Sequence, residues 1–173
     1  MKKIISLFFV LILLTSCSVQ EKMSPEIFIE RLNKEYLLIN SDSFDDFLSD
    51  NKYFCFFTNK NNSEFLIELN INDNIDITKI SLACMQVDKE NDFINLAESI
   101  INVYSNNVLS QDVINNLFEN GKIKKDIKYY DTQWHLFTAS ADENGLYFSI
   151  TNKKLNPREE VLLSLKSNDR ITF

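Results

Sequence analysis

The stretch that most constrains the fold runs from residue 134 to 151. Two alternating runs, 134–141 and 146–151, flank Asp142-Glu143-Asn144-Gly145. Period-two alternation describes a strand with one buried face, and Asn-Gly between two such runs signals a tight hairpin. With Asn144-Gly145 at the centre of a type I′ turn, Ala141 pairs with Phe148 and Ala139 with Ile150. Phe137, Ala139, Ala141, Phe148 and Ile150 then share a core face, with Trp134, Leu136, Thr138, Tyr147, Ser149 and Thr151 on the other. An isolated hairpin is marginal in water, so the rest of the chain must cover that core face.

Three more strands are expected at 53–58, 64–70 and 78–86, the first two joined by Asn59-Lys60-Asn61-Asn62. In the second, Phe65, Ile67 and Leu69 oppose Glu64 and Glu68, the pattern of a sheet wet on one face. Residues 127–130 read as a further strand, and a short edge strand is expected at the end of the chain. Ser24-Pro25-Glu26 starts a helix to about Ile39, with an N-cap, a proline at the first helical position and an acid in the first turn. Residues 41–50 fit a short helix. Asp88 is placed to cap a helix to about Asn106, striped by Phe93, Ala97, Ile100, Ile101 and Tyr104. Ser110 caps a shorter one carrying Val113, Ile114, Leu117 and Phe118, ended by Asn120-Gly121. Asn156-Pro157-Arg158-Glu159 opens a last helix through Leu165.

The order α-α-βββ-αα-βββ-α predicts the α+β class, a single two-layer domain whose mostly antiparallel sheet of about five to six strands is covered by helices. This order resembles that of the secretion-chaperone-like folds, a likeness of element order that carries no function.

The first seventeen residues have another character. Lys2 and Lys3 precede an apolar run, Ile4 to Leu14, with one Ser and no charge, and Thr15-Ser16-Cys17 follows. A basic start, an apolar run and small residues form the three-part layout of a secretory signal. Eleven residues make a helix of about 16 Å, while a bilayer core of about 30 Å needs about 20. The run can enter a translocon but is too short to remain as a span. Leu14-Thr15-Ser16-Cys17 resembles the lipobox of bacterial lipoprotein precursors at all four positions. The resemblance implies a diacylglyceryl group on the Cys17 thiol, cleavage between Ser16 and Cys17, and often acylation of the new amine. Residues 1–16 are then the signal peptide, 17–23 a lipidated tether and 24–173 the domain. The expected location is a cell membrane or outer membrane, on its extracytoplasmic side, with membrane lipid as partner through Cys17.

Beyond Lys2 and Lys3 the chain has 16 basic against 25 acidic residues, a net charge of −9. Such a body is repelled by phosphate backbones and anionic headgroups, so nucleic acid is not expected as a partner. Two glycines leave no material for phosphate-cradling loops, and no P-loop, dinucleotide fingerprint, G-x-S-x-G or H-E-x-x-H occurs. No cofactor is expected. One histidine and two remaining thiols do not make a zinc site of the usual kind. Asn70, Asn72, Asn74 and Asp76 alternate like early calcium-loop ligands, but Ile75 and Ser81 stand where the glycine and terminal glutamate are needed, which leaves an Asx-rich turn.

His135 has the parity of the core face and reads as a packed structural histidine. Cys55 and Cys84 are a candidate disulfide in an oxidising compartment, if one sheet face brings their Cα atoms within about 7 Å. Asp42, Asp45, Asp46 and Asp50 read as a solvated acidic face. Lys122, Lys124, Lys125 and Lys128 form a basic cluster that fits a solvated strand start, or contact with lipid heads near a membrane. Trp134 and Tyr147, with Tyr129 or Tyr130, are a candidate aromatic binding face for an envelope protein or glycan. The leading expectation is a lipid-anchored binding or scaffolding protein of the bacterial cell envelope. The alternatives are an anchored envelope hydrolase, built on a carboxylate pair with or without His135, or an inhibitor or immunity lipoprotein.

Overall fold

The computed structural model describes residues 22–36, 51–105 and 110–156. Its elements in chain order are α1 (Pro25–Tyr36), β1 (Lys52–Thr58), β2 (Glu64–Ile71), β3 (Ile77–Cys84), α2 (Glu90–Ser105), α3 (Ser110–Leu117), β4 (Lys128–Asp131), β5 (His135–Ala141) and β6 (Leu146–Asn152). The strands form one six-stranded antiparallel sheet in the order β1-β2-β3-β6-β5-β4. This is the expected α+β domain. The helices expected at 41–50 and 156–165, the final edge strand and the stretch to Ile39 lie outside the described residues. Asp88 does not cap α2; it sits in a 3-10 turn, Val87–Lys89, that leads into it.

Alternation in the strands decides which face is buried. Cys55, Phe57, Phe65, Ile67, Leu69, Ile80, Leu82, Phe137, Ala139, Phe148 and Ile150 all point into the core. Against them lies α2, whose Phe93, Leu96, Ala97, Ile100, Ile101 and Tyr104 are buried. Fully burying one large apolar side chain contributes about 1.5–3 kcal/mol, so this layer contact dominates the fold. α1 runs antiparallel to α2. The Phe28 ring stands 6.5 Å from Tyr104 near the end of α2, while the Tyr36 hydroxyl donates to the Asp92 carbonyl near its start.

Two hairpins share one turn design. In β1–β2, the Asn59 carboxamide oxygen accepts from the Asn61 and Ser63 amides, with Asn62 left-handed at φ 58°. In β2–β3, Asn72 does the same for Asn74 and Asp76, and the left-handed residue is Ile75 at φ 62°. Asn tolerates this region, whereas a side chain with ordinary sterics there costs about 1–2 kcal/mol. Asp92, at the start of α2, grips the first turn by accepting from Asn61 at 2.8 Å and Ser63 at 2.6 Å. Burial pushes the Asp92 carboxyl up, but donors from Ser63, Asn59 and Asn61 together hold it below its ordinary value.

The hairpin register differs from the expected one. Ala141 pairs with Leu146, Ala139 with Phe148 and Phe137 with Ile150. A slip of two residues keeps every side chain on its expected face. The cause lies in the turn: Asp142 N–H donates to the Gly145 carbonyl, and the Asp142 carboxylate accepts from the Asn144 and Gly145 amides. Neither Asn144 nor Gly145 has positive φ, so the type I′ turn is not formed there. It forms instead at Asn120-Gly121, where φ is 54° and 69° and Lys122 N–H donates to the Glu119 carbonyl. The expected helix end is thus a tight turn just beyond α3. Gly145 is required for space, because a Cβ there would stand 2.7 Å from the Cys84 carbonyl oxygen. Gly145→Ala should lower stability by about 1–3 kcal/mol, the cost of overpacking, read as a lower urea midpoint with unchanged slope.

Candidate functional site

Cys17 lies outside the described residues, but the chain's way into the domain is visible. Met23, expected as the last tether residue, is buried in the core. Its carbonyl accepts from the Ile77 amide at 2.9 Å, and Lys22 Nζ stands 3.5 Å from the Asp76 carboxylate. Met23 thus belongs to the domain rather than to the tether expected over 17–23. The chain enters at the end of the sheet where β3 begins.

The candidate binding residues do not converge. Tyr147 faces outward, away from the helices, in a cross-strand row with Phe56, Leu66, Ala83 and Ser140. Tyr129 is also outward, 57% exposed on edge strand β4, opposite Thr138 in the next row. Tyr130 turns inward, with its ring 6.4 Å from Phe137. Trp134 is not on a strand. It occupies the two-residue turn between β4 and β5, where Thr132 N–H donates to the His135 carbonyl and the Thr132 hydroxyl accepts from the Trp134 and His135 amides. Trp134 and Tyr147 thus stand at opposite ends of the outer face.

The outer face has a pattern that the sequence reading missed. Its middle row, Phe54-Glu68-Ser81-Ser149-Thr138-Tyr129, is largely polar, with Thr138 and Ser149 hydroxyls 2.8 Å apart. The neighbouring row toward Tyr147 is apolar except for Ser140, and Phe56 in it is 54% exposed. Residues 53–57 are all apolar, so alternation could not say which of Phe54, Phe56 and Phe57 faced out. Only the pairing of Phe56 with Leu66 and Phe57 with Phe65 does so.

His135 is buried, as its parity indicated. It packs 5.4 Å from the Tyr104 ring and 5.8 Å from Phe137. Burial pushes its pKa down to about 4, so the imidazole is neutral at ordinary pH. Its cross-strand partner Asn152 is buried beside it. The Tyr104 hydroxyl donates to the Ile77 carbonyl at 2.8 Å, and burial raises that phenol to about 12. These groups hold the fold together.

Cys55 and Cys84 are free and buried. Both face the core, meeting one condition for a bond, but β2 lies between their strands and Cys55 aligns through Ile67 with Leu82. Two strand spacings alone come to about 10 Å, beyond disulfide reach. Burial raises the Cys55 thiol to about 11 and pushes Cys84 up as well.

In the basic cluster, Lys124 and Lys128 pair with Glu119 beside the Asn120-Gly121 turn, and Lys122 and Lys125 are exposed. The cluster lies at the sheet end opposite Met23, since Lys128 pairs with Ala139 and the Lys124 carbonyl accepts from Ala141. Asn70–Asp76 is the hairpin turn described above, and the four aspartates of 41–50 lie outside the described residues. Among the described residues, no cluster of His, Cys, Asp or Glu has metal-binding geometry. No helix there is long and apolar enough to cross a membrane.

Comparison with protein-family models, with curated proteins and with solved structures found no match for this chain. The fold and its surfaces define the class, an α+β domain entered at one sheet end and carrying an apolar row on its open face.

Two predictions follow from the buried groups. An unfolded histidine titrates near about 6.5, so between that pH and about 4 the unfolded chain binds the extra proton and stability falls with pH. His135 should contribute a loss on the order of 2–3 kcal/mol across that window. His135→Gln should flatten the fall in urea midpoint as pH is lowered from about 7 to 5. Thiol titration without reductant should find Cys55 and Cys84 both reactive in denaturant and both slow in the native domain; a missing pair in denaturant would mean that they are bonded.

Proposed function

We propose that this chain is a lipid-anchored extracytoplasmic protein with a binding or scaffolding role at the bacterial cell envelope. The observation that carries the reading is Leu14-Thr15-Ser16-Cys17 behind a short apolar run with a basic start. The order of events suits the residues. A thiol is the side chain best able to take an alkyl group, and small Thr15 and Ser16 leave the bond before Cys17 open to a protease. One acyl chain anchors marginally and two hold stably.

The domain's surfaces support a binding role over a hydrolase built on the lone histidine. Such an enzyme would need His135 open to substrate, and it is buried between Tyr104 and Phe137. The row Phe56-Leu66-Ala83-Tyr147 offers an aromatic and aliphatic contact surface to an envelope protein or glycan, with the Glu68 and Thr138–Ser149 groups beside it for hydrogen bonds.

Mass spectrometry of the N-terminal peptide from the membrane fraction tests the anchor. A diacylglyceryl group on Cys17 as the first residue is expected, and an unmodified Cys17 would overturn the reading. Cys17→Ala should leave the signal uncut or release the protein. Phe56→Asp tests the binding row. It should change stability by less than about 0.5 kcal/mol, as surface substitutions do, while abolishing the crosslink that a photoreactive group at Tyr147 makes in the native membrane.

A further inference from the structure

The hairpin turn that Asn59 and Asn72 each build has a left-handed position that suits Gly or Asn. The first copy has Asn62 there, at φ 58°. The second has Ile75, a β-branched residue at φ 62° that is also 50% exposed. Burial does not compel an apolar side chain there, because half of the residue's surface is open to solvent. A strained and exposed apolar residue in a turn that the same chain elsewhere builds without strain points to an external contact.

A second exposed apolar side chain stands at the same sheet end. Trp134, 43% exposed, occupies the β4–β5 turn, and its carbonyl accepts from the Lys153 amide just beyond β6. β3 starts beside that strand end, so the two turns, one between β2 and β3 and the other between β4 and β5, project from the same end about three strand spacings apart, on the order of 14 Å. Ile27, in the first turn of α1 beside exposed Glu26, adds a third exposed apolar side chain there.

This is also the end at which the chain enters. Met23 is hydrogen-bonded to Ile77, and Lys22 pairs with Asp76, the neighbour of Ile75. From Cys17 to Met23 the backbone can span at most roughly 20 Å. An acyl chain on Cys17 would hold the Ile75 turn within that distance of the bilayer.

We propose that the sheet end bearing Ile75 and Trp134 is a lipid-contact surface that lies against the bilayer holding acylated Cys17. The proposal rests on the lipid-anchor reading and adds the orientation of the domain. Charge favours this end. In a body of net −9 beyond the signal lysines, its ions largely pair off: Lys22 with Asp76, Lys52 with Glu68, and Lys153 with Asp131. Exposed Lys154, Asp73 and Glu26 nearly balance. The contact is therefore made by apolar tips, with Trp134 suited to the interface by its apolar ring and polar N–H. It does not need anionic lipid.

Trp134 is the chain's lone tryptophan, so its fluorescence reports on this surface alone. The protein, purified from the membranes of producing cells, is reconstituted into phosphatidylcholine vesicles with or without brominated acyl chains. Trp134 emission should be dimmer in the brominated vesicles, and protease release of the domain at its tether should shift it to longer wavelength. Ile75→Asn should raise the melting temperature, by relieving the turn, and recover part of the quenched emission. Equal emission in the two vesicle types, with Trp134 open to aqueous acrylamide, would overturn the contact. A lowered melting temperature, or unchanged quenching, in Ile75→Asn would overturn the part assigned to Ile75. The mass of the N-terminal peptide separates the two readings. Acylated protein with unquenched Trp134 overturns the contact alone, whereas unacylated protein overturns the anchor and the contact together.

Discussion

The peptide units of Ile77 are where the layers of this protein are tied together. The Ile77 amide donates to the Met23 carbonyl, and its carbonyl accepts from the Tyr104 hydroxyl. One residue thus joins the incoming chain, the first residue of β3 and the last turn of α2. The sheet register shifts here, between Asn70 and Ile71 on β2, and the Thr78 hydroxyl donates to the Asn70 carbonyl across the irregularity. A bulge leaves backbone groups without ladder partners, and a buried unpaired group costs about 1–3 kcal/mol. Met23 and Tyr104 are the partners supplied. α1 follows two residues after Met23, so the same bond also places α1 antiparallel on α2, where Phe28 meets Tyr104.

Much of this architecture was legible because the strands alternate cleanly. Phe65, Ile67 and Leu69, and later Phe137, Ala139, Phe148 and Ile150, declare their buried face without help from register, and a slip of two residues does not change it. Turn chemistry was less legible. The chain has two Asn-Gly dipeptides, and the rule that favours type I′ turns holds for Asn120-Gly121 and fails for Asn144-Gly145. The difference is Asp142. Its carboxylate takes the Asn144 and Gly145 amides and closes the loop at the Asp142–Gly145 pair, and the Cys84 carbonyl presses on Gly145 from the next strand. Neither influence is visible in a dipeptide.

The surface was harder to read than the core. Partner rows on the open face depend on strand order, and β3 pairs with β6, more than sixty residues away in sequence. Phe56, Leu66 and Tyr147 become neighbours only through that long-range pairing. Trp134 has the parity of an outward strand residue but lies in a turn, because the Thr132 hydroxyl accepts the Trp134 and His135 amides and ends the β4–β5 ladder there. The two cysteines show the same limit from the other side. Parity put both on the core face, and strand order separates them.

An anchor changes what a surface must do. A free domain that settles on a lipid surface must offset lost translational and rotational freedom. A domain tied by a few residues meets that surface at an effective concentration in the millimolar range. Two or three apolar side chains are then enough to choose an orientation wherever acyl chains supply the attachment. A short tether also limits which end can touch. In the proposed orientation the Lys124–Glu119–Lys128 cluster, at the far sheet end, would be held away from the lipid, while Ile75 and Trp134 share the end at which the chain enters through Met23. With that end lowered, as proposed, the long axis of the strands would rise from the membrane, and the row from Phe56 to Tyr147 would lie at the upper end of the open face, clear of the bilayer.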